Sequence, residues 1–369
     1  MKPQDEGSSK RLRVAIIGPS LRYVGGQSVQ ADLLLRLWRD DPEVEAKFIP
    51  VDPPLPSVLD WAAKLRGVRT GLREPLYCWD VWQGLADVEI AHVFSASYWS
   101  FLLAPAPAWF LARLRSKKVL IHYHSGEARD HLRRFRSGRF VLSRADDVVV
   151  PSGYLVDVFP EFGLRATVVP NLVDLSQFRF RERNPLRPHL VCTRGFHPYY
   201  CVDVVVKAFA KVQREFPDAC LDLVGKGPSE NDVRRLVGLL QLRNVNFCGV
   251  ASRTEIGRYY EQADIFINAS RLDNMPVSII EAFASGTPVV STSPEAMPYL
   301  IDHGGTGLLS AVGDEKALAD NVARLLREPH LANKLAQHAY EQSKKYAWSA
   351  IREQWIQEYR TLLQQERQR

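Results

Sequence analysis

Short apolar runs alternate with helix-patterned stretches along nearly the whole chain, and the alternation stops once and starts again. Val14-Ala15-Ile16-Ile17-Gly18 is followed by a glycine-containing loop and a helical pattern over 30–38, which reads as strand, loop and helix. Further buried-strand patterns lie at 90–94, 119–123, 147–150 and 167–169, with helical stretches at 109–116 and 128–135 among them. Strands that alternate with helices build parallel sheets covered on both faces. A polar stretch rich in Arg and Pro, 178–188, interrupts the pattern, as segments between domains do. Strand patterns then recur at 189–193, 220–224, 244–247, 265–267 and 288–291, separated by helical patterns at 203–215, 230–240, 253–262 and 278–284. The fold class expected is α/β, with two doubly wound domains in tandem. A long amphipathic helical stretch, 331–359, closes the pattern with an interruption at Tyr346-Ala-Trp-Ser.

The length of 369 residues suits two cores of middling size. Apolar residues at 46% and charged residues at 24% exclude disordered, collagen-like and disulfide-scaffold chains. A net charge of +6 is compatible with phosphate-bearing ligands or an anionic membrane surface. The five cysteines form no CxxC pair, so neither a zinc site nor a disulfide framework is expected. Residues 1–13 lack the apolar core of a secretory signal. The greasiest stretch, 98–112, is broken by Pro105 and Pro107 and falls short of the ~20 residues that span a bilayer. The chain is therefore expected to be cytoplasmic, at most peripheral on the inner face of a membrane.

In open α/β sheets, ligands sit beyond the carboxyl ends of the strands. Such a place is reached after the strand at 265–267. A loop holds Asp273, Pro276 precedes a helix, Glu281 is expected in its first turn, and Gly286 to Pro288 stop it. Two carboxylates thus flank a helix N-terminus, whose backbone N–H groups favour a phosphate. Acids beside an anion site suit a ligand with both phosphate and sugar hydroxyls, a nucleotide sugar; a capping acid plus a helix-dipole acid is the structural alternative.

Asp273 and Glu281, followed by Ala-Phe-Ala-Ser-Gly-Thr-Pro-Val-Val, resemble the acidic motif of the retaining glycosyltransferase family 4, the group 1 glycosyl transferases. The resemblance extends to 14–26, the first strand and glycine loop; to Val169-Pro-Asn-Leu-Val-Asp-Leu-Ser-Gln-Phe178; to Val224-Gly-Lys-Gly-Pro228; and to Gly304-Gly-Thr-Gly-Leu308. It implies the GT-B fold, two Rossmann-like domains facing across a cleft. The expected divisions are an acceptor-binding domain at 1–178, a nucleotide-sugar domain at 179–345, and a helix at 346–369 that crosses back to the first domain.

The resemblance also implies roles. Glu281 would bind the donor ribose, Asp273 the hydroxyls of the transferred sugar, and the backbone of Asn274, Met275, Pro276 and Val277 the sugar and phosphate. Asp273 stands where the family usually has Glu. Gly25 and Gly26 would bring backbone N–H groups to the diphosphate, where a Cβ would obstruct approach; a flexible turn is the alternative. Arg194 matches the arginine that neutralises the leaving diphosphate. The lysine expected about five residues later is missing from Gly195-Phe-His-Pro-Tyr-Tyr200, which leaves Arg194 alone, helped by Tyr199, Tyr200 or His197, or joined by Lys226. His124 would contact the transferred sugar from the end of its strand. His122 points to the same side, so spacing alone does not separate the two.

No two aspartates are spaced i, i+2, and no HExxH, GxxxxGK[ST] or GxGxxG motif occurs. No metal or cofactor is expected, so leaving-group charge falls to protein groups. Between 113 and 144 there are ten Lys and Arg against two acids, which points to an anionic lipid or polysaccharide intermediate as acceptor, or to an anionic leaflet; a solvated basic face is the alternative. No nucleic-acid module accompanies the charge. The activity implied is metal-independent, retaining transfer of a sugar from a nucleotide diphosphate sugar to a hydroxyl acceptor, in cell-surface polysaccharide or glycolipid synthesis. A catalytically weak nucleotide-sugar-binding or scaffold protein of the same fold is the alternative, as is a phosphorylase or epimerase.

Overall fold

The computed structural model describes residues 11–22, 25–57, 65–95 and 97–364. The polar start of the chain, 1–10, and residues 23 and 24 of the first loop lie outside them. Two compact units emerge: residues 1–170 with 351–369, and residues 171–350. The chain leaves the first unit eight residues before the boundary drawn at 178. It does so because Asn171 and Val173 already bond within the second unit, to Met275 and Tyr346.

Unit 1 begins with β1 (Leu12–Gly18), α1 (Gly26–Leu37), β2 (Val44–Pro50), α2 (Arg66–Gly84) and β3 (Ile90–Ser95). Then come α3 (Tyr98–Leu103), α4 (Pro105–Leu114), β4 (Lys118–Tyr123), α5 (Ala128–Arg134), α6 (Arg136–Arg144), β5 (Asp147–Val150), α7 (Gly153–Val158) and β6 (Thr167–Val168). Its six strands are all parallel, in the order β2-β1-β3-β4-β5-β6. The order reverses between β1 and β3, which makes their carboxyl ends the ligand crevice of this sheet.

Unit 2 begins with β7 (His189–Cys192), α8 (Val202–Glu215), β8 (Cys220–Val224), α9 (Glu230–Leu239), β9 (Val245–Gly249), α10 (Ile256–Gln262) and β10 (Ile265–Asn268). It continues with α11 (Val277–Ala284), β11 (Val289–Thr292), β12 (Leu308–Ser310), α12 (Glu315–Arg327) and α13 (Pro329–Ser343). The strands are again parallel, in the order β12-β11-β10-β7-β8-β9, and the reversal falls between β7 and β10. Alternation along each strand sends residues to opposite faces. Leu190 and Cys192 join one core with Phe209 and Leu318, while Val191 joins another with Tyr260, Ile280 and Phe283.

The stretch 178–188 was expected to be a polar linker, yet it is built into unit 2. Arg183 is 1% exposed. Its guanidinium donates to the carbonyls of Tyr260 (2.8 Å), Ala263 (3.1 Å), Ser285 (3.1 Å) and Gly286 (2.5 Å). These are the carbonyl ends of α10 and α11, which α-helices leave without partners of their own. Arg181 and Arg187 flank it on the fully buried carboxylate of Asp264.

The last helix, α14 (Trp348–Gln364), follows the interruption at 344–347, and from Ile351 onward it belongs to unit 1. Ile351, Trp355, Tyr359 and Leu362 recur at helical spacing and are all buried. Tyr359 Oη lies 2.8 Å from His92 Nδ1, and Arg352 Nε donates to Asp41 Oδ2 at 2.6 Å. No helix among the described residues is long and apolar enough to cross a membrane.

Candidate active site

Topology alone brings the predicted residues of unit 2 together. Strands β7 and β10 are neighbours, with Val191 beside Phe266. Arg194, two residues past β7, and Asp273, five past β10, therefore emerge at the switch point of the sheet. The guanidinium of Arg194 donates from Nη2 to Asp273 Oδ2 at 2.5 Å and from Nη1 to Ser278 Oγ at 3.0 Å. Its Cζ sits 3.8 Å from the ring centroid of Tyr200. One charged fork is thus held between a carboxylate, a hydroxyl and an aromatic face. Burial works hardest against the charge of Arg194, but Asp273 together with Tyr200, Cys192 and Tyr260 raises the guanidinium above its ordinary value. Burial raises the carboxyl of Asp273, with Arg194 opposing.

The loop carrying Arg194 is pinned by backbone contacts that demand glycine. A Cβ on Gly225 would lie 2.5 Å from the carbonyl oxygen of Arg194, and one on Gly227 would lie 2.6 Å from the backbone of Phe196. The φ of +155° at Gly225 is a second reason for glycine there. Phe196 N donates to Lys226 O, and Arg271 N to Tyr199 O. Lys226 is exposed and its stem runs past Gly249. His197, Tyr199 and Tyr200 form an aromatic cluster, with centroids 4.5 Å apart for the two tyrosines and 5.3 Å for His197 and Tyr199. The position without a lysine is therefore occupied by aromatic rings, one of them stacked on Arg194.

Helix α11 starts at Val277 with Pro276 at its cap, and no side chain caps it. Glu281 lies just beyond the first turn rather than in it, because the helix begins no earlier than Val277. Its Oε2 accepts from Tyr260 Oη at 2.7 Å; Tyr260 also lies 2.7 Å from Thr193 Oγ1 and 3.0 Å from Ser278 O. Burial pushes the Glu281 carboxyl up to about 7, with the Tyr260 bond and Arg194 pulling the other way. Asn274 is buried, and Asp273 Oδ1 accepts from its N–H at 3.2 Å. Met275 turns its side chain into the core, and its carbonyl accepts from Asn171 Nδ2 at 2.9 Å.

Tyr260, Thr193, Ser278 and Asn171 carry this site without having been singled out in the sequence. Nothing in the run Arg258-Tyr259-Tyr260-Glu261 distinguishes the core tyrosine from its neighbour. Ser278 did carry a signal, since it stands one position inside a helix that starts beside two acids.

In unit 1, Gly25 caps α1 and its N–H donates to Ser28 Oγ at 2.9 Å. Its φ of −161° is ordinary extended backbone, and a Cβ on Gly25 or Gly26 would meet no atom within 4 Å. The fold itself does not require glycine at either place. His124 follows β4, with its N–H donating to Ser95 O at 3.1 Å. Its ring stacks on Phe94 at 5.1 Å and lies 4.0 Å from His122. His122 is buried deeper, 5.0 Å from Trp355, with Nδ1 3.2 Å from His92 Nε2. Both histidines do face the same side, and burial holds His124 down to about 3, a neutral imidazole.

Residues 177–342 match the family of Glycosyl transferases group 1, and residues 26–177 match Glycosyltransferase Family 4. The chain is 28% identical over 247 residues to a D-inositol 3-phosphate glycosyltransferase of Frankia alni, covering 62% of this chain and 60% of that one. It is 28% identical over 216 residues to an N-acetyl-α-D-glucosaminyl L-malate synthase of Bacillus anthracis, covering 55% and 56%. The matched region thus spans three fifths or less of these relatives. Among solved structures, Anabaena HepE in complex with UDP and glucose superposes with a TM-score of 0.74 at 15% identity, covering 95% of this chain and 100% of that one. A sucrose-phosphate synthase from Thermosynechococcus elongatus gives 0.73 at 21%, covering 96% and 99%. Two parallel Rossmann-like sheets, the fold shared with these structures, and family matches that together run from 26 to 342 make this chain a group 1 glycosyltransferase of family 4 with the GT-B fold.

Proposed function

We propose that the chain transfers a sugar from a nucleoside diphosphate sugar to a hydroxyl of an acceptor, with retention of configuration and without a metal ion. The observation that carries this reading is the buried Arg194, set between Asp273, Ser278 and Tyr200 at the N-terminal end of α11. A fixed guanidinium beside a helix N-terminus is suited to the charge that develops on a departing diphosphate. Glu281 then takes the ribose hydroxyls and Asp273 the hydroxyls of the transferred sugar, so the Arg194–Asp273 bond loosens as both find ligand partners. In unit 1, Gly25 and Gly26 are assigned to the diphosphate through their N–H groups, and neutral His124 to the sugar.

In the transfer step the bond from the anomeric carbon to the diphosphate oxygen breaks, and the acceptor oxygen bonds that carbon on the same face. The acceptor's proton passes to the leaving phosphate, so no separate protein base is required. Relatives named D-inositol 3-phosphate glycosyltransferase and phosphatidyl-myo-inositol mannosyltransferase support a phosphate-bearing acceptor in glycolipid or polysaccharide synthesis.

Calorimetry with uridine, guanosine and adenosine diphosphates and their sugars, with and without added divalent cation, tests the reading. One nucleotide should bind selectively without metal, and Arg194→Ala and Glu281→Ala should each weaken it at least tenfold. Transfer with inversion of the anomeric centre overturns retention. Binding without any transfer favours the weakly active scaffold, for which the missing lysine and the shorter Asp273 are the motivating observations.

A further inference from the structure

Helix α4 has the sequence Pro-Ala-Pro-Ala-Trp-Phe-Leu-Ala-Arg-Leu. Pro105, Ala108 and Ala112 make its buried stripe, yet the opposite stripe is apolar too. Phe110 is 54% exposed and Leu114 58%. A helix that is apolar all round is ordinarily buried on all sides.

Its neighbours extend the same surface. Helices α3, α4 and α6 pack against one another, and each turns large apolar groups outward: Trp99 and Leu103 from α3, Phe140 from α6. Phe140 is tied to α4 by an edge contact with Trp109 at 6.0 Å. Exposed apolar groups carried by helices that pack together mark an interaction surface.

The charges around the patch select the partner. Arg136 opens α6, and Arg144 closes it with its guanidinium 5.3 Å from the Phe140 ring; Arg113, beside Leu114 at the end of α4, is already engaged by Asp146 at 3.4 Å. Arginines bordering exposed Trp, Phe and Leu match a surface that is negatively charged outside and apolar just beneath. Aromatic rings settle at the headgroup level of such a surface, while arginine heads meet its phosphates.

We infer that the α3–α4–α6 face of unit 1 docks on an anionic lipid bilayer, with Trp99, Phe110 and Phe140 entering the headgroup region. The inference does not rest on the transfer reaction, because it is tested without donor or acceptor.

The test is co-sedimentation of the full chain with phosphatidylcholine vesicles, with and without phosphatidylglycerol, at low and high salt. The chain should pellet with the anionic vesicles only, and salt should release part of it. The variant Trp99→Ser/Phe110→Ser/Phe140→Ser should lose at least tenfold in partitioning, as should Arg136→Glu/Arg144→Glu. All five positions are exposed, so an unchanged melting curve verifies that each variant is folded. Brominated lipid should quench a share of the tryptophan fluorescence that disappears in Trp99→Phe. Failure of the wild type to pellet with anionic vesicles overturns the inference, as does undiminished binding by the folded variants. A concentration-dependent dimer that the triple variant dissociates, without vesicle binding, assigns the face instead to a second copy of the chain.

Discussion

Arg194 shows how a residue can be legible while its surroundings are not. The acids after β10 can be read from the strand pattern, whereas Arg194 after β7 was marked by the family resemblance; the adjacency of β7 and β10 at the switch point delivers both loops to one crevice. The partner of Arg194 in the loop without a lysine was readable only as a choice among Tyr199, Tyr200, His197 and Lys226. Tyr200 is the one that stacks on the guanidinium, at 3.8 Å. A desolvated cation–π contact is worth about 1–2 kcal/mol, so Tyr200→Ala should weaken nucleotide binding about 5–30-fold. Tyr200→Phe keeps the ring and should stay within about twofold of wild type, and titration calorimetry on both variants checks the contrast. Glu281 leads to a pH prediction with two signs. Its carboxyl, raised to about 7, holds a proton in the folded chain that the unfolded chain releases near 4.5. Its contribution to stability is therefore complete below that lower value and lost as pH rises through about 7. Binding of ribose hydroxyls prefers the carboxylate, so nucleotide affinity should instead rise with pH across about 7. Glu281→Gln should flatten that rise; a slope unchanged in the variant assigns it to another group.

At the scale of elements, what hid from the sequence was whatever departs from the buried parallel strand. Strand β2 was missed because it lies at the sheet edge and carries Glu45 and Lys47 among its apolar residues. Helix α2 was missed because Gly67, Gly71 and Pro75 break its pattern. Strand β12, three residues at the opposite kind of edge in unit 2, was too short to register. The stretch 178–188 misled in the other direction, since charge in a sequence says nothing of the carbonyls waiting for it. Arg183 closes α10, which carries Tyr260, and α11, which carries Glu281. It does so without a carboxylate of its own, and burial, helped by Arg181, lowers it to about 9. Arg183→Met should strand several helix-end carbonyls and cost about 3 kcal/mol. Arg183→Lys should not restore it, because an ammonium cannot span both helix ends as the fork does. Thermal melts of the two variants check this, and a melting temperature within a degree of wild type for either one refutes the bracing role.

Taken whole, the chain is two sheets of one design, and the last helix belongs to the sheet that was made first. The family resemblance implies that return, and the interruption at 346–349 marks only where the helix breaks; the contacts that secure it were not legible. Trp355 and Tyr359 meet His92 at 4.7 and 6.0 Å, ring to ring, across more than two hundred residues of intervening chain. Beside them Glu358 meets Asp147 at the start of β5, carboxyl against carboxyl. Burial raises both groups; Asp147 raises Glu358 further, to about 7, while the hydrogen bond with Glu358 opposes the rise at Asp147, so the pair retains a proton towards neutral pH. Two facing carboxylates are tolerated only while that proton is shared. The folded state thus binds more protons than the unfolded chain between the ordinary carboxylate range and about 7, and stability falls as pH rises through that window. Glu358→Gln keeps a hydrogen bond to Asp147 and removes the repulsion. The variant should melt about 2–4 °C above wild type at pH 8, the shift expected for about 1 kcal/mol in a unit of this size, and should lose the advantage at pH 5. A scan of melting temperature against pH for both proteins decides it: parallel curves place the pH dependence elsewhere, whereas curves that converge in acid assign it to the seam between the last helix and the first sheet.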